Sequence, residues 1–296
     1  MLLLLLIIVT IFIVILYTNY IKNNYKIKII ENNEDLYKYH NKIKIFEKTM
    51  SQWYPLNEKE QFKISHGDDY FKFFERMGKL YIFIILNNTQ NIIGTLFCIL
   101  RTIECEKIWY ICDLKIHPQY RRRWIPYNML LNSFKLMNIS NKFYAISMNE
   151  NTKYNNIVKF SQKMGKILKF NIKNEIIKIY KLDYITMMKA KNILEKYKGK
   201  IYFIKLNGIK DIILKSTQNA MNLYHVNFIN NINYVKCKIK KNFFPIFSPN
   251  SSFMFCFLKS DNINNILKLN NIETKITSSL IHNGLKNYDF LQTSEI

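Results

Sequence analysis

The chain has 296 residues and a formal net charge of +23 at pH 7. This length suffices for one large domain or for two small domains with a sizeable core. A charge of this sign suits nucleic-acid binding, but the lysines are scattered, and the excess of Asn, Ile, Lys and Tyr is typical of an AT-rich genome. We therefore favour no nucleic-acid partner.

The cysteines form no Cys-x-x-Cys pair; they are Cys98, Cys105, Cys112, Cys237 and Cys256. This spacing excludes the common structural zinc sites, and we expect no bound metal. Their odd number, and the apolar runs that contain several of them, predict reduced and buried thiols in a reducing compartment.

The N-terminal run is almost wholly apolar, since every residue from Leu2 to Leu16 except Thr10 is Leu, Ile, Val or Phe. A bilayer core requires a helix of about 20 apolar residues, with ~17 as the lower limit. The run therefore predicts a short transmembrane anchor over residues 1–18. The alternative is a cleaved signal peptide, but no basic residue precedes the run and Tyr17–Tyr20 is a poor cleavage site.

Three lysines follow this run, at Lys22, Lys26 and Lys28. Cytoplasmic flanks of membrane helices carry an excess of Lys and Arg. We therefore expect a single-pass membrane protein with its body in the cytosol.

Residues 19–45 are polar and rich in Asn and Lys, which predicts a stalk that leads into a first helix. Three strands are predicted after it, at 79–86, 92–103 and 108–116, because these stretches are rich in β-branched and aromatic residues. Short polar turns separate them, so they predict an antiparallel meander.

The hydrophobic period changes after the third strand. Apolar residues at helical spacing predict a helix that begins near Ile125, and Pro126 suits its first turn. A strand is predicted at 143–148, followed by a second helix at 155–164, which Gly165 would end.

Strands at 167–172 and 176–182 are predicted to form a hairpin after that helix. The order of strand, helix and hairpin recurs near the end of the chain, with a strand at 253–258, a helix at 262–269 and hairpin strands at 272–281 and 285–291. This echo predicts two related units, 46–182 and 183–296. The expected fold class is α+β, with a mixed, mainly antiparallel sheet flanked by helices in each unit.

The segment from Asp113 to Pro126 places a strand end, a basic turn and a helix start in succession. Arginine is rare in this chain, yet Arg121, Arg122 and Arg123 are consecutive in that turn. The N-terminus of a helix presents unpaired N–H groups and a partial positive charge, and arginine holds phosphate with two hydrogen bonds. A phosphate site is therefore predicted here, against the alternative of a solvated basic turn.

The element order over about residues 60–182, with the segment His117–Arg121, resembles the acyl-CoA-binding core of the GNAT superfamily of N-acyltransferases. In that family a strand leads into a loop of pattern Arg/Gln-x-x-Gly-x-Gly/Ala whose amides hold pyrophosphate. Arg121 matches the first position, whereas Trp124 and Pro126 replace the small residues. Trp124 blocks the close backbone approach that glycine allows, and Pro126 has no N–H to donate.

The glycine-free basic loop and the two apparent halves also resemble the eukaryotic N-myristoyltransferases. This resemblance implies that the amides of Asp113 and Leu114 form an oxyanion hole and that a C-terminal carboxylate, here that of Ile296, is the general base. Asp113 and His117 are the other candidate proton acceptors. The cofactor-binding residues that it implies are Ile116, Arg121, Arg122, Arg123, Trp124, Ile125 and Pro126.

Many GNAT members carry a tyrosine general acid four residues before the glycine of the second helix. Ser161 occupies that position here, and Tyr154 and Tyr180 are nearby in the sequence. Three functions stay open. The first is a membrane-anchored N-acyltransferase that transfers an acyl group, acetyl in the simplest case, from CoA to an amine on a peptide or small molecule. The second is an N-myristoyltransferase-like enzyme with a longer acyl-CoA donor. The third is an inactive GNAT-like scaffold.

Overall fold

The computed structural model describes residues 25–31, 33–121, 125–149, 155–229 and 245–296. The strands in these ranges are β1 (Tyr25–Ile30), β2 (Tyr54–Pro55), β3 (Gln61–Ser65), β4 (Lys79–Asn87), β5 (Ile92–Ile103), β6 (Glu106–Ile116), β7 (Phe143–Met148), β8 (Lys173–Asp183), β9 (Ile201–Ile204), β10 (Asp211–Leu214), β11 (Leu223–Phe228), β12 (Ser252–Leu258) and β13 (Thr277–Asn283). The α-helices are α1 (Asn33–Met50), α2 (Lys72–Glu75), α3 (Ile125–Ser133), α4 (Asn156–Leu168), α5 (Tyr184–Lys198) and α6 (Ile263–Leu269), and short 3-10 helices span Pro118–Tyr120 and Phe134–Asn138. The predicted α+β class is confirmed, with a large, mostly antiparallel sheet flanked by helices.

The described residues belong to two compact units. Unit 1 takes its described residues from the ranges 25–50, 81–97 and 113–133, and unit 2 takes them from 51–80, 98–112 and 134–296. Strands β4, β5 and β6 each contribute residues to both units. The predicted domain boundary near Leu182 and the predicted anchor over residues 1–18 stay predictions, and the anchor lies outside the described ranges.

In unit 1, β1 pairs antiparallel with β4, so that Tyr25 lies opposite Asn87 and Ile30 lies opposite Ile82. Helix α1 buries an apolar face that includes Leu36, Ile43 and Phe46, at helical spacing. Residues 25–45, predicted as part of a polar stalk, therefore hold β1 and most of α1. The many lysines and asparagines of this stretch led to the stalk prediction, although its apolar residues recur at strand and then at helix spacing.

In unit 2, two strand–helix–strand segments exchange strands. The segments are β7–α4–β8 and β12–α6–β13, and the strand order is β7–β13–β8–β12. β13 pairs antiparallel with both β7 and β8, and β8 pairs antiparallel with β12. The predicted echo is present as strand, helix and strand, and the predicted hairpins are wrong because each last strand pairs with the other segment.

The prediction that Gly165 ends the second helix is also wrong. Helix α4 continues to Leu168, and Lys169 ends it in the left-handed conformation, with φ 59°. A Cβ at Gly165 would lie 2.3 Å from Cγ1 of Ile172. Glycine is therefore needed there for close approach inside the helix, while residues 170–172 form no strand and β8 is one continuous strand from Lys173.

A parallel strand pair flanks each side of this exchange. β6 pairs with β7 through Trp109–Phe143 and Tyr110–Tyr144. β11 pairs with β12 through three residue pairs that end at His225–Met254. The pairing pattern of the order β6–β7–β13–β8–β12–β11 is thus symmetric, with a parallel pair at each end and antiparallel pairs between them.

The two faces of the unit 2 sheet differ in character. One face carries an aromatic core that includes Phe253 and Phe255, which packs beneath α5 and α6. Successive side chains of a strand point to opposite faces, so Met254 lies on the other face. There it lines a cavity with residues of β3 and β10, which pair with each other.

The described cysteines are free thiols. Cys98 and Cys256 are buried, and burial raises the pKa of each thiol to about 12. The expectation of buried thiols holds for these two and is wrong for Cys105, which is exposed in the turn before β6; Cys237 lies outside the described residues. No helix within the described ranges is long and apolar enough to cross a bilayer.

Gly78 is a test of this packing, because a Cβ there would lie 2.3 Å from the carbonyl oxygen of Leu100. We expect Gly78→Ala to lower the free energy of unfolding by about 3 kcal/mol, since backbone cannot move aside as a side chain can. Gly208→Ala is the matched control: its Cβ would meet nothing within 4 Å, and only its φ of 70° is unfavourable. That variant should lose about 1 kcal/mol. Equal losses in denaturant titrations of the two variants would contradict the close approach.

Candidate functional site

Asp113 interrupts β6 with a left-handed backbone, at φ 50°, three residues before the strand ends. A non-glycine residue in this conformation costs about 1–3 kcal/mol and is found preferentially at functional sites. The carbonyl oxygen of Asp113 accepts a hydrogen bond from Oγ1 of Thr95 at 3.3 Å, and its carboxylate is ion-paired with Lys115. A positive φ inside a strand is also the backbone conformation found in one class of β-bulge.

His117 forms the link between β6 and the turn. Its N–H donates to the carbonyl oxygen of Ile93 at 2.9 Å, and its ring lies edge-on to Tyr120 at 5.8 Å. The Nδ1 atom of His117 is buried and has no hydrogen-bond partner among the described residues. A buried polar atom without a partner costs free energy, which makes this ring a candidate for proton transfer.

Arg121 closes the turn, because its Nε donates to the carbonyl oxygen of Ile116 at 3.1 Å. This bond holds the exposed arginine over the end of β6. Ile125, fully buried, begins helix α3, and Pro126 occupies the first turn, where a missing N–H leaves no helical bond unmade. Arg121 thus precedes helix α3 in the sequence, with residues 122–124 outside the described ranges.

The strand–turn–helix segment of unit 1 brings together most of the predicted site residues: Asp113, Leu114, Ile116, His117, Arg121, Ile125 and Pro126. Arg122, Arg123 and Trp124 lie outside the described residues. No group of three or more His, Cys, Asp or Glu in the described ranges is arranged to hold a metal ion.

The general-acid position of the resemblance holds Ser161, which is half-buried on α4 in unit 2. Tyr180 cannot take that role in this structure, because its ring stacks on Phe255 and its hydroxyl is 2.9 Å from Oδ1 of Asn264 in the core. Tyr154 lies outside the described residues. The described part of the chain thus offers no tyrosine at the expected place.

Unit 2 contains a buried ion pair that the sequence analysis missed. The guanidinium of Arg101, 3% exposed, lies 2.8 Å from the carboxylate of Glu295, 4% exposed. Arg101 also donates to the hydroxyl of Tyr144, and the hydroxyl of Tyr110 donates to the carbonyl oxygen of Glu295 at 3.1 Å. Burial opposes the charge of Arg101, but Glu295 and Tyr144 together outweigh it and raise the pKa of Arg101.

A second set of cations holds the same segment of unit 2. Lys210 donates to the carbonyl oxygen of Thr293 and to an oxygen of Ile296, and Arg76 donates to the carbonyl oxygen of Ser294. Burial, followed by the charge of Arg76, lowers the pKa of Lys210 to about 7. With Thr293 and His225, Lys210 lines a cavity of ≈ 30 Å³, which has room for about two water molecules.

His225 is fully buried beside this cavity, and its Nδ1 lies 3.0 Å from Oγ1 of Thr293. Burial and the neighbouring Lys210 lower the pKa of His225 well below its ordinary value, so the ring is neutral. The only sequence signal for these groups was a charged residue, such as Arg101, inside an apolar strand. Its partner, 194 residues further along, carries no local signal.

No protein-family model and no curated protein matches the chain. Among solved structures it is similar to Arabidopsis thaliana Naa50 in complex with the bisubstrate analogue CoA-Ac-MVNAL, at 18% identity over 47% of this chain and 82% of that chain, with a TM-score of 0.31. An aminoglycoside acetyltransferase from an uncultured soil metagenomic sample, in complex with sisomicin, aligns at 17% identity over 50% of this chain and 90% of its own, with a TM-score of 0.33.

A longer alignment is to a GCN5-related glucosamine N-acetyltransferase region of a fungal multi-domain GH3 β-N-acetylglucosaminidase. It covers 87% of this chain and 38% of that chain at 9% identity, with a TM-score of 0.44. All three TM-scores lie below 0.5, so these likenesses fix neither substrate nor activity.

The Arg101–Glu295 pair should be essential to the stability of unit 2. Glu295→Gln leaves the Arg101 charge buried without a counter-charge, and we expect a loss of about 3–5 kcal/mol in denaturant titration. The double variant Arg101→Met, Glu295→Gln should recover part of this loss. Glu58→Gln is the matched control, since its pair with Lys275 is exposed and should contribute nothing measurable. Equal behaviour of the two Gln variants would contradict the buried pair.

Lys210 should make stability rise with pH. Its folded pKa of about 7 lies below the ordinary 10.5, so the unfolded chain binds more protons between these values. The free energy of unfolding therefore increases with pH across this window, by up to about 1.4 kcal/mol per pH unit. Lys210→Met removes the charge and should remove this component. The measurement is the difference between parent and variant in urea titrations at several pH values, and a difference independent of pH would contradict the lowered pKa.

Proposed function

We propose that the chain is a GNAT-like, acyl-CoA-dependent N-acyltransferase whose donor site is the segment from Asp113 to Pro126. The observation that carries the proposal is the left-handed Asp113 near the end of β6, with the 3-10 helix Pro118–Tyr120 and helix α3 as the next elements of the chain. Acyl transfer needs N–H donors at the thioester oxygen and positive charge at the pyrophosphate. A bulged strand end supplies the first, and Arg121 with the start of α3 supplies the second.

In the proposed reaction the neutral acceptor amine attacks the thioester carbonyl carbon. The C–N bond forms, the C–S bond breaks, and the CoA sulfur leaves as thiolate and takes up a proton. The N–H groups of Asp113 and Leu114 would stabilise the oxyanion; loss of one such donor lowers kcat roughly 10²- to 10³-fold in enzymes where it has been removed. These two residues are therefore assigned through their backbone.

The proton of the attacking amine needs an acceptor. The Asp113 carboxylate is engaged by Lys115, whereas Nδ1 of His117 is buried without a partner in the described structure. We therefore assign the proton-acceptor role to His117. The acceptor substrate is an amine on a peptide or small molecule.

A second candidate is N-myristoyltransferase-like transfer of a long acyl chain. A pyrophosphate loop of the common GNAT type would contain glycine between the positions of Arg121 and Pro126. This chain has no glycine there, which favours the second candidate. The exchange of β8 and β13 supports a further part of the proposal, that the two halves of the chain are related GNAT-like units. The proposal also includes a membrane tether formed by residues 1–18, with the body of the protein in the cytosol.

Calorimetry with the full chain tests the donor site directly. We expect acetyl-CoA or myristoyl-CoA to bind, and Arg121→Ala to weaken binding roughly 10- to 100-fold, because a hydrogen bond to a charged group is worth about 1.5–3 kcal/mol. Lys107→Ala, an exposed lysine outside the segment, is the matched control and should leave affinity unchanged. The preferred chain length chooses between the two enzyme candidates.

Absence of binding by folded protein to either thioester would sink the proposal and leave the inactive scaffold. Equal weakening by Arg121→Ala and Lys107→Ala would show a diffuse electrostatic effect and would remove Arg121 from the site.

A further inference from the structure

Three helices of unit 2, α4, α5 and α6, form a layer on one face of its sheet. Phe170, which follows α4, contacts Phe143 of β7 edge-on at 5.4 Å. Its strand neighbour Tyr144 points to the opposite face, toward Phe290. Helices α5 and α6 cover the aromatic core. This core lies on the same side of the sheet as Phe143, because Met254 and its cavity lie on the opposite side. The outer surface of all three helices therefore faces one way; we call it the helical face.

The helical face is basic beyond what the composition of the chain requires. Its helices carry eight lysines and one acidic residue, Glu195; the lysines are Lys159, Lys163, Lys166, Lys189, Lys191, Lys196, Lys198 and Lys268. Helices α4 and α6 contain no Asp or Glu. Helix α1 is an internal comparison, because it has the same lysine-rich bias but also carries Asp35 and Glu47. Lys198 is ion-paired with Asp261, which lies just before α6. The other seven lysines still outnumber the single acidic residue within the three helices, and a codon bias toward lysine does not explain the scarcity of Asp and Glu in them.

Each helix of this face also exposes a large aliphatic side chain. Ile167 on α4 is 56% exposed, Ile185 on α5 is 69% exposed, and Leu269 at the end of α6 is 84% exposed. Single exposed aliphatics are common on soluble proteins. One on each helix of the same face, among lysines, is the pattern of an interfacial surface.

We propose that the helical face docks onto an anionic lipid bilayer. A lysine near an anionic leaflet contributes about 1 kcal/mol, and aliphatic side chains gain by entering the boundary between head groups and acyl chains. Nucleic acid fits this face less well, because single-stranded binding uses aromatic platforms and phosphate recognition favours arginine. The inference is independent of the acyl-transfer proposal, since none of its residues belongs to the donor site.

The test uses the full chain and a probe on the helical face, because the predicted anchor would hold the protein on any vesicle. Leu269→Trp is mixed with vesicles of brominated phosphatidylcholine, with or without phosphatidylserine, and its emission is compared with that of the parent chain. We expect quenching at this position only when phosphatidylserine is present. Lys215→Trp, at an exposed turn after β10 on the opposite face of the unit 2 sheet, is the matched probe control and should not be quenched.

The charge dependence is tested on the same probe. Lys163→Glu with Lys166→Glu should shift the docked-to-undocked ratio at least roughly 30-fold toward undocked, the equivalent of two lysine contacts. Lys38→Glu with Lys48→Glu, the same charge change on α1, should leave quenching intact. Circular dichroism shows whether each variant is folded; added salt, which screens exposed charge, is a second measurement on the unsubstituted probe chain.

Several outcomes would overturn the proposal. They are quenching of Trp at position 269 without phosphatidylserine, equal quenching of the control probe at position 215, and no quenching at all. Absence of quenching together with duplex DNA binding that the Lys163→Glu, Lys166→Glu pair abolishes would identify a nucleic-acid face instead.

Discussion

The antiparallel pairing of β8 with β13 is the constraint on which unit 2 depends. β8 ends the first strand–helix–strand segment and β13 ends the second, yet each lies between strands of the other. Neither segment can therefore complete its hydrogen-bonded sheet alone. The segment that follows β13, residues 284–296, is carried across one face of the sheet by this pairing, and there Glu295 meets Arg101. A contact between residues so distant in sequence has a high loop-closure cost, which the shared sheet offsets.

The proposed donor site and the buried polar cluster of unit 2 use backbone groups in different ways. In unit 1, the left-handed Asp113 lies within β6, and a turn in which Arg121 donates to the carbonyl oxygen of Ile116 follows; this is the segment to which we assign the donor site. In unit 2, the carbonyl oxygens of Thr293 and Ser294 accept from Lys210 and Arg76, and that of Glu295 accepts from the hydroxyl of Tyr110. The first arrangement suits an anion and a developing oxyanion. The second fixes a polar chain segment inside an apolar interior, where unpaired groups would be costly.

The local sequence pattern correctly predicted those elements whose limits depend on neighbouring residues. The predicted limits of β5 and β7 match the structure, because an apolar β-branched run ends at polar turns in both cases. The turn into α3 was located by its arginines and Pro126. The sequence pattern gave a wrong prediction where strands distant in the sequence determine the pairing. The hairpin predicted around Lys173 is instead a single strand, because β13 and β12 supply its neighbours.

The candidate site was found only in part for the same reason. The segment holding Asp113 and His117 was predicted as a unit, but no sequence feature marks the left-handed backbone of Asp113 beyond the tolerance of aspartate for that conformation. The Arg101–Glu295 ion pair could not be predicted from the sequence, because no local pattern indicates which distant carboxylate meets a given arginine. Glycine was misread at Gly165, since it serves close packing and helix ends equally well.

Hydrogen–deuterium exchange of the full chain, with and without saturating acetyl-CoA or myristoyl-CoA, tests the central claim most directly. The account predicts slower exchange in peptides that cover residues 113–121 and 125–130 when the preferred thioester is present, with residues 33–50 unchanged as the internal reference. Unchanged exchange over 113–130, or protection confined to other parts of the chain, would contradict the assignment of the acyl-CoA site to the end of β6 and the start of α3.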